Sequence, residues 1–101
     1  MALNSSALLR KHERFKLTMP VVVSGIDKAG SYFQSPAETV DGSVEGLGLL
    51  LDRELYPFTS ILIEIPQENP IVKIQTEVRH ITPWDDSRTL VGVRYSTALP
   101  I

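Results

Sequence analysis

The chain has 101 residues, with ten Lys and Arg against twelve Asp and Glu and a net charge of -2, so it lacks the broad basic surface that a nucleic-acid polymer requires. The absence of cysteine excludes disulfides, thiolate metal sites and a cysteine nucleophile. A chain of this length forms one domain and buries roughly two thirds of its unfolded surface. No run of about 18 apolar residues is available to span a membrane.

Residues 1–9 (MALNSSALL) read as a mobile polar tail ahead of a single domain over 10–101. The tail is too short and too polar for a secretory signal, so a cytoplasmic protein is expected. Asn4, Ser5 or Ser6 can cap a short helix towards Arg14, which would set Arg10 and Arg14 on one face. An extended arm fits the same residues. Arg10, Lys11, Arg14 and Lys16 face only Glu13 within residues 10–16. A short basic arm on an acidic chain suits a small anion better than a polymer.

Residues 15–23 (FKLTMPVVV) alternate strictly, with Phe15, Leu17, Met19, Val21 and Val23 in one phase. That period predicts a half-buried strand. Pro20 cannot donate to a ladder, so the strand is expected at an edge or with a bulge there. Residues 24–30 are turn-forming, and 31–34 form a short strand broken near Pro36. A further strand over 37–40 leads into Asp41-Gly42-Ser43-Val44-Glu45-Gly46. Leu47, Leu49 and Leu51 then alternate with Gly48 and Leu50.

Residues 52–57 are a connection, with room for one helical turn carrying Leu55 and Tyr56 over the core. Residues 60–65 (SILIEI) form a strand, and 66–70 (PQENP) a turn. Residues 71–82 form the longest strand, with Val72, Ile74, Thr76, Val78 and His80 on one face and Lys73, Gln75, Glu77 and Arg79 on the other. Residues 83–88 (PWDDSR) turn again, and 89–95 (TLVGVRY) form the last strand, with Val91, Val93 and Tyr95 in phase. Six or seven short strands and no amphipathic helix of three turns predict an antiparallel all-β domain. Closure into a small barrel removes the unpaired edges.

The stretch from Asp41 to Gly46 has two readings. It fits a plain hairpin turn, since Asp-Gly flanked by apolar residues is a strong turn signal. It also fits a polar cup: a carboxylate and a hydroxyl two residues apart can point the same way from extended backbone. Catalysis has little support. A hydrolase built on Ser43 would need His12 or His80 beside it, and Ser43 is not in a Gly-x-Ser-x-Gly elbow. The two histidines and scattered acids show no metal-ligand spacing, and no cofactor is implied. An oligonucleotide-binding barrel would need aromatic platforms along a basic groove. Only seven aromatics exist, and Phe15, Phe33 and Tyr95 read as core-directed.

Arg10 and Arg14 fit a solvated pair, but Arg also grips phosphate, and guanine at O6 and N7, with a bidentate fork. Asp complements it by accepting from the N–H groups of guanine's Watson–Crick edge. The combination resembles the PilZ domain family. Its two motifs are Arg-x-x-x-Arg, here Arg10-Lys11-His12-Glu13-Arg14, and Asp/Asn-x-Ser-x-x-Gly, here Asp41-Gly42-Ser43-Val44-Glu45-Gly46. The continuation Leu47-Gly48-Leu49 and the late Val91-Gly92-Val93-Arg94-Tyr95 are also similar to the family.

The resemblance implies a six-stranded antiparallel β-barrel with a flexible N-terminal arm. Family members end with a C-terminal helix of variable length, and with Ile101 as the last residue little or no such helix is expected here. The resemblance also implies a binding module rather than an enzyme, with cyclic di-GMP as ligand and Arg10, Arg14, Asp41, Ser43 and Gly46 as binding residues. The arm would order over the ligand and change a surface seen by a downstream protein. Leu9 stands where many members carry a basic residue, which looks like the mode with one ligand per protomer. Arg79 is a candidate to stack on a guanine, against its reading as an exposed strand arginine. A PilZ-like adaptor that works by protein contacts without nucleotide is the alternative.

Overall fold

A computed structural model describes residues 13–96. Seven strands follow one another: β1 (Phe15–Lys16), β2 (Pro20–Ile26), β3 (Tyr32–Gly42), β4 (Gly46–Leu51), β5 (Ser60–Ile65), β6 (Val72–Pro83) and β7 (Thr89–Tyr95). The sheet order is β1-β3-β2-β5-β6-β7-β4, and β4 pairs back onto β3. Six strands thus close an antiparallel barrel, and β1 is added beside β3. There is no helix among the described residues, and none long and apolar enough to cross a membrane.

The core follows from period-two alternation. Val21 and Val23, Leu49 and Leu51, Ile61 and Ile63, and Val78, Val91 and Val93 point into the barrel and are buried. Each such side chain contributes roughly 1.5–3 kcal/mol on burial. Thr76 and Thr39 are fully buried polar residues. Thr76 Oγ1 donates to the Ile61 carbonyl at 3.0 Å. Every buried side-chain nitrogen or oxygen among the described residues has a partner, as burial requires.

Several local expectations change. The run over 15–23 is not one strand. Lys16 pairs with Asp41 and Pro20 with Glu38, so three residues on one side oppose two on the other. Thr39 fills the break: its Oγ1 donates to the Leu17 carbonyl at 2.6 Å and accepts from the Met19 amide at 2.9 Å. Pro20 therefore does mark a bulge, but β2 is interior to the sheet, paired with both β3 and β5. Pro20 is tolerated as its first residue, outside the stretch paired with β5.

Phe15 is 54% exposed and not core-directed, because it lies on the added strand. Pro36 does not break β3, which runs through it opposite Val22. That half of β3 pairs on one side only, since β4 joins it from Glu38 onwards. No helical turn forms over 52–57. Leu55 is buried there, while Tyr56 is exposed and lies under the Lys28 ammonium at 5.2 Å.

Candidate functional site

Asp41 and Gly42 belong to β3, so the connection between β3 and β4 is only residues 43–45. The turn is tightly held. The Ser43 amide donates to the Gly46 carbonyl at 2.9 Å, and Ser43 Oγ accepts from the Glu45 amide at 3.0 Å. The Tyr95 amide donates to the Glu45 carbonyl at 2.9 Å, and the Tyr95 hydroxyl to the Ser43 carbonyl at 3.2 Å. Gly46 sits hard against β7: a Cβ there would overlap the Val93 carbonyl. Both readings of this stretch hold in part, since a turn and a polar rim coexist.

The register of β3 against β4 slips between Thr39 and Asp41. Val40 is the extra residue, and past it Asp41 lies opposite Gly48. A Cβ on Gly48 would overlap Asp41 Oδ1, so the missing side chain makes the berth for the carboxylate.

Arg14 lies just before β1 and reaches that carboxylate with a two-pronged grip. Its Nε donates to Oδ2 at 3.1 Å and its Nη2 to Oδ1 at 2.8 Å, while Nη1 lies 3.5 Å from Ser43 Oγ. Such bidentate, charge-assisted pairs are the strong ones. The hydrogen bonds from Arg14 hold the Asp41 carboxyl below its ordinary range, assisted by the charge of Arg14 and the Gly48 amide and opposed by burial. The same contact holds Arg14 more firmly protonated. Burial pushes the Tyr95 phenol up, and Arg14 partly offsets it.

Beside this pair lies a cavity of about 410 Å³, within the size range of small-molecule sites. Arg14, Arg79 and Arg94 line it as cations, and Asp41 and Glu45 as acids. His80, Gly46, Gly48 and Gly92 complete the polar and bare-backbone parts of its wall. The Arg79 guanidinium stacks over the Phe58 ring at 5.4 Å and lies 3.7 Å from Glu77 Oε1. Among the described residues, no group of three His, Cys, Asp or Glu could hold a metal ion.

The structure brings Arg14, Asp41, Ser43 and Gly46 together. Ser43 is buried at 5% and off the cavity wall, its hydroxyl engaged with the turn. Arg10 and the residues up to His12 lie outside the described residues, as do Leu9, the tail over 1–9 and the C-terminal residues from Thr97 on. His80 is not on the apolar face. The register of β6 against β7 slips between Val78 and His80, which makes Arg79 an extra residue. Arg79 and His80 are then both exposed, and Ile81 takes the inward phase. Arg94, Gly48 and Gly92 were legible only as parts of motif-like stretches. The bulge that exposes His80 has no sequence signal.

An antiparallel β-barrel with a cavity rich in arginine at a short strand-to-strand turn defines the class. The model of the family described as PilZ domain matches residues 8–101, and the chain belongs to that family. Among solved structures it is similar to the PilZ domain with c-di-GMP of YcgR from Escherichia coli. The identity is 16% and the TM-score 0.63, over 90% of this chain and 80% of that one. No curated protein sequence matches.

Proposed function

We propose that this PilZ domain is a receptor for cyclic di-GMP, which it binds in the cavity beside Arg14 and Asp41. The observation that carries the reading is the convergence of Arg14, Arg79 and Arg94 on one cavity that also holds the Asp41 carboxylate. Guanidinium groups match phosphate oxygens, and a carboxylate matches the N–H donors of a guanine edge. The family match and the barrel likeness to a domain named with that ligand support the same reading.

In this reading Arg10 adds a further guanidinium from the arm. Ser43 shapes the turn, and Gly46 keeps it against β7. Arg79, backed by the Phe58 ring, offers a flat cation for a guanine to stack on. The Arg14–Asp41 contact is an exchange point, because ligand phosphates compete for the guanidinium and guanine competes for the carboxylate. Ordering of the arm on the ligand then alters the surface met by a downstream protein. Ordering costs roughly 1–2 kcal/mol per backbone residue, offset by charge-assisted hydrogen bonds.

Calorimetric titration of the full chain with cyclic di-GMP tests this. Saturable binding is expected with one ligand per protomer. Arg14→Ala and Arg10→Ala should each weaken it about 10- to 100-fold, from about 1–3 kcal/mol per bidentate contact. Unchanged affinity in both variants would remove the site assignment, and no binding by the natural chain would leave the adaptor reading in its place.

A further inference from the structure

The ladder registers set four residues from four strands in one row across the outside of the barrel. Asp41 on β3 is opposite Gly48 on β4, Gly48 is opposite Gly92 on β7, and Gly92 is opposite His80 on β6. The outer two carry polar side chains and the inner two carry none. Both side chains lean inward over the bare backbone. Asp41 Oδ1 takes the space of a Cβ on Gly48, and the imidazole tip, with Nε2 foremost, takes that of a Cβ on Gly92. Opposed residues of adjacent antiparallel strands lie about 5 Å apart, so a carboxylate and an imidazole sit roughly one strand apart on the cavity wall.

The bulge at Arg79 is what turns His80 outward into this row. Bulges re-aim side chains in this way and are common beside functional sites. The imidazole is exposed, lines the cavity, and has no hydrogen-bond or ion-pair partner among the described residues. An imidazole carries at least one N–H in every protonation state, and of the roughly four lone-pair positions on the Asp41 carboxylate Arg14 takes two and the Gly48 amide one, which leaves one to accept from a ligand. The wall thus presents a donor next to an acceptor. Guanine's Watson–Crick edge presents the complement, the O6 acceptor beside N–H donors. Adenine places an amino donor where guanine has O6.

We propose that His80 is a specificity-determining residue that donates to guanine O6 while Asp41 accepts from a neighbouring N–H group, so that the site selects guanine over adenine in a cyclic dinucleotide. This rests on the cyclic di-GMP reading above. The test is titration of the full chain, and of His80→Leu and His80→Gln, with cyclic di-GMP and cyclic di-AMP. The ratio of the two affinities on one preparation does not depend on the fraction folded.

The natural chain should prefer cyclic di-GMP. His80→Leu should lower that preference about tenfold or more by losing the donor, and His80→Gln, which keeps an N–H, should retain most of it. A ratio left unchanged in His80→Leu, or a His80→Gln as poor as His80→Leu, overturns the assignment. If the natural chain binds no cyclic di-GMP, the functional reading falls and this one with it. If it binds and the ratio ignores His80, only this one falls.

Discussion

The two sides of the barrel are built differently. Where β2 meets β5, and where β5 meets β6, the ladders run without a slip, and Val23, Ile61 and Ile63 alternate cleanly into the core. Where β3 meets β4, and where β6 meets β7, each ladder carries one extra residue, Val40 and Arg79. Between those two slips lie Gly46, Gly48 and Gly92, with polar side chains or backbone occupying the space their missing Cβ atoms would take. The regular side supplies cohesion. The irregular side gives up ladder regularity for a cavity and for two charged or polar residues, Asp41 and His80, aimed at it. Bulges and bare backbone are the devices by which a closed barrel can carry a site without opening its core.

Three substitutions would break or sharpen this contrast. On the regular side, Ile63→Ala should cost about 2–5 kcal/mol, because the cavity it leaves at a fully buried position cannot collapse. Chemical denaturation measures this, and a loss below about 1 kcal/mol would mean that the regular side is not the cohesive one. On the irregular side, Gly46→Ala should cost less, about 1–3 kcal/mol, by forcing β4 away from the Val93 carbonyl. Its effect should concentrate on the turn. Amide exchange should quicken at Ser43 and Tyr95, whose amides close the turn, while Ile61 and Ile63 stay protected. Uniform loss of protection would show that the two sides are not separable.

The smallest effect is electrostatic. Arg14 depresses the folded-state pKa of Asp41, so the contact contributes its full stability above the ordinary aspartate value of 3.8. That contribution is lost as pH falls through the lower folded-state value. Both side chains are more than one third exposed, which limits the contribution to less than about 1 kcal/mol. The stability gap between the natural chain and Asp41→Asn should therefore be small and flat at neutral pH and close on acidification. A gap that widens in acid would contradict the pairing.

Most strands were legible because alternation and turn chemistry are local. Residues 60–65 and 89–95 carry clean period-two patterns between Gly, Pro and Asp turns, and they form β5 and β7 with those bounds. The motif residues were legible through resemblance, and Arg14, Asp41, Ser43 and Gly46 meet. The errors share one origin. His80, Phe15 and Pro36 were each assigned from phase or local preference alone. A bulge inverts phase, an added strand exposes a residue that alternation would bury, and a strand paired on one side tolerates a proline.

The amino-acid order by itself determined an all-β chain of short strands and a polar, turn-forming stretch at Asp41–Gly46, because those depend on side-chain period and on turn-forming residues. Only the tertiary structure decided that Arg14 grips Asp41 across 27 positions and that His80 faces outward beside Arg79. It alone set Asp41, Gly48, Gly92 and His80 in one row. Those facts depend on how distant strands pair, and a slip of one residue in a ladder exchanges the inner and outer faces of everything beyond it.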